Sequence, residues 1–301
     1  MLYKARTKSN ELQIMQSLND RMNLSSKDKQ HYFNLKKGYM GELMFDVLME
    51  KLQCECIILN DLLLKSNNTL FQIDSLIITS NTIYSFEVKN YEGDYFYDSN
   101  RIYKIPKTEI INPLIQLNRT EFLLGQLLQN SGYPLPINSK IIFINPEFTL
   151  YQAPQNKSFI FPTQINHYLN QLNKIPSKLN ETHKILADKL MSLHIKESPF
   201  QQLPAYNYDQ LRKGSTCGVC NSFSLSVKGT KCFCMNCGNE EVVASVVIRS
   251  LQEFQLLFPK QKITTNIIHD WCQFIPSKKR INRILEKNLK MLGVHKYAYY
   301  E

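Results

Sequence analysis

The sequence predicts a mixed α/β domain followed by a small metal-stapled unit and a basic helical end. Three observations carry this expectation. Apolar periodicities follow the order helix, strands, helix, strand from Lys36 onward; a doubled Cys-x-x-Cys pattern begins at Cys217; and an amphipathic, lysine- and arginine-rich segment follows Pro276.

The helix is read from "KKGYMGELMFDVLMEKL", residues 36 to 52, where Leu43, Val47 and Leu48 recur at helical spacing after a polar helical lead-in. "CECIILNDLLL" reads as a strand leading into a turn, "FQIDSLIIT" as a second strand, "SN" as the punctuation of a hairpin and "TIYSFEVKN" as a third strand. "YEGDYFYD" and "RIYKI" read as additional strands at a sheet edge. "NPLIQLNRTEFLLGQLLQNSG" is an amphipathic helix, with Pro113 in its first turn and Gly132 near its end. "SKIIFIN" is the continuous apolar run of a buried strand. From Phe148 to Lys196 the pattern weakens to one helix around "LNETHKILADKLMSLHI". The domain expectation is therefore 1–197 for the α/β domain, 198–213 for a proline-containing linker, 214–240 for the cysteine unit and 241–301 for the basic helical end.

With 301 residues, of which 43% are hydrophobic, the chain can bury one large core or several smaller ones. The start "MLYKARTKSNELQ" lacks the apolar run of a secretory signal, and the longest apolar stretches, such as "VVASVVI", are too short to cross a bilayer. These features point to a cytoplasmic chain with no membrane partner. A net charge of +10 and a pI near 9.1 favour a polyanion. Five of the eight cysteines crowd between Cys217 and Cys237, which in a reducing compartment suits a metal site better than a disulfide framework.

Charges interrupt two of the apolar strands. Glu87 and Lys89 are two residues apart and share a strand face, while Phe86 and Val88 point the other way; Asp74 lies on the neighbouring strand. Paired carboxylates suit a hard divalent cation, and a lysine beside them can orient a nucleophile or neutralise a phosphoryl oxygen. The plain alternative is a solvated sheet face with a surface Glu–Lys pair. In "CGVCNSFSLSVKGTKCFCMNCGNE", Cys217 and Cys220 form one knuckle and Cys234 and Cys237 the other, joined by a hairpin that brings them onto one tetrahedral Zn²⁺. Cys232 lies two residues before Cys234 on the same strand face and is the rival ligand; Cys54, Cys56 and Cys272 read as ordinary half-buried thiols. After Ser277, a plausible N-cap, Ile281, Ile284, Leu285, Leu289 and Leu292 form an apolar stripe that ends at Gly293. Lys279, Arg283, Lys287 and Lys290 form a basic stripe opposite, flanked by Lys278 and Arg280. This arrangement suits a helix laid against phosphates in a helix-turn-helix unit, or equally a solvated lysine-rich face.

The segments "GYMGELMFDVLMEKL", "NDLLL", "FQIDSLIIT", "IYSFEVKNYEGDYF" and "NPLIQLNR" together resemble, in order and spacing, the NERD (nuclease-related domain) family of the restriction-endonuclease-like superfamily, over roughly residues 36 to 130. The resemblance implies a restriction-endonuclease-like mixed sheet flanked by helices and a metal-dependent phosphodiesterase core. Asp74 and Glu87 would be Mg²⁺ or Mn²⁺ ligands, Lys89 the catalytic lysine and Glu42 a further acid from the first helix. Gln116, which matches a recurring family glutamine, would share a helix face with Asn112 and Arg119 and line the cleft. The cysteine unit resembles the zinc ribbons attached to topoisomerases and to some NERD proteins. The function so implied is a DNA nuclease, in phage defence or in processing of phage or plasmid DNA. A non-catalytic DNA-binding adaptor, an RNA-directed nuclease and a homodimeric state stay open.

Overall fold

The computed structural model describes residues 1–155, 158–293 and 298–301. In chain order, strand β1 (Leu2–Lys4) precedes helices α1 (Asn10–Arg21) and α2 (Ser26–Met49). Strands β2 (Ile57–Ser66), β3 (Thr69–Ile78), β4 (Ile83–Lys89), β5 (Gly93–Asp98), β6 (Arg101–Lys104) and β7 (Thr108–Ile110) lead to helix α3 (Pro113–Asn130). Strands β8 (Ile137–Phe143), β9 (Phe148–Tyr151) and β10 (Phe159–Ile160) then precede helices α4 (Ile165–Asn173) and α5 (Glu181–Leu193). The remainder comprises β11 (Leu225–Lys228), β12 (Lys231–Cys234), β13 (Glu240–Val242), α6 (Val243–Leu257), α7 (Thr265–Cys272), α8 (Lys278–Asn288), β14 (Met291–Leu292) and β15 (Tyr299–Tyr300). The chain forms two compact units, one of residues 1–8 and 33–200, the other of residues 9–32 and 201–301.

The first unit is the mixed α/β body. Its six-stranded sheet has the order β1-β2-β3-β4-β8-β10. The consecutive pairs β2/β3 and β3/β4 are antiparallel, as hairpins require, whereas β8 joins β4 in parallel after the α3 crossover. Leucines 123, 124, 127 and 128 of α3 and Leu186, Ala187 and Leu190 of α5 cover one face. Phe45 and Met49 of α2, with Ile165, Leu169 and Leu172 of α4, cover the other. Burial from both sides explains why the strands read as near-continuous apolar runs.

Four expectations change. Helix α2 starts ten residues before Lys36, and its inward residues are Phe45, Asp46 and Met49 while Val47 is exposed, because the helix is buried along a narrow stripe offset from its most apolar residues. Strand β2 does not give way to a turn within "CECIILNDLLL". It continues to Ser66 with Asp61 in left-handed backbone (φ 55°). On β2 the inward set changes from Ile57 and Leu59 to Leu62 and Leu64, and on β3 from Phe71 and Ile73 to Leu76 and Ile78. A paired kink thus reverses the alternation in both strands, with Asp74 at the reversal on β3. Strands β5 and β6 are not edge strands: β8 occupies the free edge of β4, and they lie inside a second sheet of order β7-β6-β5-β9. Rings of Tyr91, Tyr95, Phe143, Phe148 and Phe161 pack between the two sheets, with the Phe143 and Phe148 centroids 4.3 Å apart. Finally, the stretch after Phe148 holds β9, β10 and α4 as well as the expected helix, elements too short to impose a period.

In the second unit, β11, β12 and β13 make a three-stranded antiparallel sheet that continues into α6. Glu240 to Val242 pair with β12, and α6 begins at Val243. Ser277 caps α8 as expected, accepting from the Arg280 backbone N–H at 3.4 Å. The helix nevertheless ends at Asn288, because Met291 and Leu292 pair with Tyr300 and Tyr299. Ile281 and Leu285 are its buried residues, and Leu289, Lys290 and Leu292 lie beyond it. Residues 198–213 hold no helix or strand. The sequence reading divides the chain only along its length. The grouping of residues 9–32 with the C-terminal unit rests on Arg21, whose guanidinium binds Glu253 at 2.6 and 2.9 Å and the carbonyls of Arg212 (2.6 Å) and Gly214 (2.9 Å). Its charge also lies 4.1 Å from the centre of a Trp271 ring. No helix among the described residues is long and apolar enough to cross a membrane.

Two glycines of α2 have opposite surroundings. A Cβ on Gly41 would stand 2.5 Å from the Asn90 Cβ, whereas one on Gly38 would meet nothing within 4 Å. Gly41 therefore allows the close approach of α2 to the end of β4. Gly38→Ala should stabilise the protein by up to about 1 kcal/mol through helix propensity, whereas Gly41→Ala should destabilise it by roughly 1–3 kcal/mol through overpacking. Urea unfolding of the two variants reads the opposite signs.

Candidate active site and cysteine cluster

The kink in β3 decides how the acids meet. Main-chain pairing between β3 and β4 runs from Ile78↔Ile83 to Ser75↔Phe86 and stops there. Where the next strand pair would form, the Asp74 carboxylate takes over, accepting from the Val88 backbone N–H at 2.7 Å. Asp74 is therefore buried and fixed to the strand that carries Glu87 and Lys89. On that strand the Lys89 ammonium donates to Glu87 Oε1 at 2.6 Å and to Gln116 Oε1 of α3 at 3.1 Å. The structure thus gathers Asp74, Glu87, Lys89 and Gln116. Asn112 does not share their face; it precedes α3 as its N-cap, accepting from Leu114 N–H at 3.0 Å and donating to the Asn100 carbonyl.

Glu42 reaches the same region from α2, held by Arg6 Nη1 at 2.6 Å. Arg6 is the participant that sequence reading missed. Its side chain is 1% exposed, and it forks onto both Asp46 oxygens at 2.8 and 3.0 Å and onto the Asp74 carbonyl at 2.6 Å. Ser75 Oγ, 0% exposed, adds a contact to Asp46 at 3.4 Å. Asp46 could have been found one helical turn after Glu42; Arg6 carries no periodic signal. Asn90 was also missed. It donates to the Lys37 carbonyl at 2.8 Å and accepts from Asn145 at 3.1 Å, tying α2 to the ends of β4 and β8.

The electrostatics follow from burial. Desolvation, and next the Asp74 charge, push both Glu42 and Glu87 up to about 8. Asp74 is also raised, by desolvation against the pull of Lys89, the Val88 N–H and Arg6. Burial lowers the Lys89 ammonium, but Glu87, Tyr91 and Asp74 together outweigh it, so its pKa rises. Burial thus penalises the charged form of all three acids despite Arg6 and Lys89, and their donor atoms are hard oxygens. That donor set fits a divalent cation that takes one or two carboxylates and keeps several waters.

Among the described residues, Cys217, Cys220, Cys234 and Cys237 form the one group of three or more His, Cys, Asp or Glu side chains whose ligand atoms lie within 4.8 Å of one another. The Sγ separations are 3.6 Å for Cys217–Cys237 and 3.5 Å for Cys220–Cys234. A tetrahedron of Zn–S bonds has sulfur edges of about 3.8 Å, so this cluster can hold a structural metal such as zinc. Cys232 is buried elsewhere. Two residues along a strand span roughly 6.7 Å, and the turn from Cys234 to Gly238, closed by the Gly238 N–H to the Cys234 carbonyl at 2.9 Å, places Cys234 in the second knuckle. Glu241 braces the first knuckle, accepting from Gly218 N–H at 3.1 Å while paired with Arg249 of α6, which also donates to the Thr216 carbonyl at 2.7 Å. At the chain's basic end, Lys278, Lys279, Arg283 and Lys287 are exposed on α8, Arg280 is half-buried, and Lys290 is exposed beyond the helix end.

No curated protein and no solved structure matches the chain. A family model does match, over a segment that contains Glu42, Asp74, Glu87, Lys89 and Gln116: residues 37–144 match the nuclease-related domain (NERD).

Proposed function

We propose that the protein is a cytoplasmic, metal-dependent nuclease that hydrolyses phosphodiester bonds of DNA, with a role in defence against, or processing of, phage or plasmid DNA. The observation that carries the reading is Asp74, buried and hydrogen-bonded to Val88 N–H beside the Glu87–Lys89 pair, within the nuclease-related segment. Asp74 and Glu87 would hold Mg²⁺ or Mn²⁺, with Glu42 as a nearby acid held by Arg6. When bound, the ion supplies a water of lowered pKa and stabilises charge on the scissile phosphate.

The chain's own residues do the rest. Lys89, steadied by Glu87 and Gln116, sets a positive charge where a phosphoryl oxygen gains negative charge. Gln116 turns its carbonyl to Lys89, which leaves its amide N–H groups for the substrate backbone. Arg6 acts at one remove, fixing Glu42 and the main chain at Asp74. Within the second unit, one Zn²⁺ on the four cysteines would hold the β11–β13 sheet. The exposed cations of α8 would grip phosphates. The acidic site repels a polyanion, so affinity has to come from such a surface.

Three measurements test this reading. Asp74→Asn and Glu87→Gln keep shape and should each lower Mg²⁺-dependent cleavage of plasmid DNA by about 10²-fold or more with unchanged circular dichroism; cleavage by both variants at the wild-type rate would reject the site. Metal analysis should find about one zinc per chain; Cys234→Ser should lose it and Cys232→Ser should retain it. Reversing Lys279, Arg283 and Lys287 to glutamate should weaken duplex binding and flatten the plot of log affinity against log salt by up to about 2.7, at roughly 0.9 per phosphate contact. A solvated face would leave the slope unchanged.

A further inference from the structure

A cavity of about 430 Å³ opens beside the candidate catalytic lysine, lined by Leu70, Ile111, Ile115, Gln116, Arg119 and Phe200 among others. Gln116 belongs to both places, since its Oε1 accepts from Lys89 at 3.1 Å. The lining departs from an ordinary soluble surface. Ile111 is 79% exposed, Ile115 65% and Phe200 76%. Large apolar side chains gathered at the mouth of a cleft mark a binding surface. Nothing in the metal chemistry proposed above uses them.

Size and chemistry narrow the occupant. The volume lies in the range of small-ligand pockets, enough for one nucleobase with part of its sugar. An aromatic ring and two isoleucines offer stacking and dispersion to a flat π-face. Gln72 and Thr120 offer amide and hydroxyl groups to a base edge. Among the described residues Arg119 is the one cation of the lining, and it already reaches toward the Leu70 carbonyl at 3.5 Å. A duplex hides its base faces inside the stack and is gripped through many phosphates; a lining with one cation and three exposed apolar side chains is the reverse of that requirement.

We propose that this cavity is a nucleobase subsite: it receives one unpaired base of the strand adjoining the scissile phosphate, with Phe200 and Ile115 against the base face and Arg119 toward the neighbouring backbone. The inference rests on the nuclease reading for its place in the reaction and names the substrate class, a single-stranded or locally unpaired nucleic acid. Because Gln116 contacts both the cavity lining and Lys89, a seated base aligns the strand with the lysine.

The test separates the subsite from catalysis by measuring binding of the full chain in EDTA. Fluorescence anisotropy compares a short oligothymidylate, an abasic strand of equal length and charge, and the oligothymidylate annealed to its complement. Base stacking supplies about fivefold or more in affinity per seated base, so the wild type should prefer the oligothymidylate to the abasic strand by at least that factor, and to the duplex after correction for charge. Phe200→Ala and Ile115→Ser, both at exposed positions, should close that gap. Oligouridylate in parallel shows the sugar preference, and base dependence on either strand supports the subsite. Equal affinity for base-bearing and abasic strands, or a gap unchanged in both variants, overturns it. If Asp74→Asn abolishes cutting while no base dependence exists, the nuclease reading stands and the subsite falls; base dependence closed by Phe200→Ala in a chain that never cuts leaves the subsite standing alone.

Discussion

The first unit is organised around carboxylates held out of water. A buried ion without a partner costs several kcal/mol or more, so Asp74, Glu87, Glu42 and Asp46 can stay inside only if charge and hydrogen bonds meet them. Arg6 answers two of them through its fork to Asp46 and its bond to Glu42, and Lys89 answers Glu87. Asp74 receives a main-chain N–H from Val88 in place of a neighbouring strand. Burial first, and the Asp74 charge second, still hold the pKa values of both glutamates raised. This tension is characteristic of sites that bind a cation or perform proton chemistry, where stability is given up for function.

The same arrangement explains the local backbone. Without the paired kink at Asp61 and Asp74, β3 would keep its alternation and its pairing to β4 would continue; no carboxylate would reach the Val88 N–H. Without Gly41, α2 could not come close enough to Asn90, and Glu42 would stand farther from Asp74. The placement of the second sheet follows as well. Because β8 takes the parallel edge of β4, the chain after Lys89 turns at Gly93 (φ 90°) and its tyrosines pack against Phe143 and Phe148.

The second unit solves a different problem. Its three short strands have little apolar surface of their own, and a structural metal, which the four clustered cysteines could hold, would supply the cross-link that a core otherwise provides. Around it, Glu241 and Arg249 tie the first knuckle to α6, and Arg21 from α1 fills the space between Trp271, Glu253 and the main-chain carbonyls at Arg212 and Gly214. Two buried arginines, Arg6 and Arg21, therefore do comparable work in the two units: each satisfies carbonyls and carboxylates drawn from segments far apart in sequence.

The sequence by itself determined much of this. The order of helix and strands, the hairpin at Ser80–Asn81, the doubled Cys-x-x-Cys and the nuclease-related segment are legible because they rest on local periodicity and fixed spacing, which survive in one dimension. Glu87 and Lys89 could be placed on one strand face for the same reason. Tertiary structure decided the rest. Arg6 reaches the Asp74 carbonyl across a separation of 68 residues, and Arg21 meets Glu253 across 232; no local pattern encodes such partners. Cys234 rather than Cys232 enters the cluster because the turn after β12 aims its sulfur, and α8 stops at Asn288 because the following residues find strand partners. In each case the deciding contact is long-range or set by a few backbone angles, and residue spacing alone records neither.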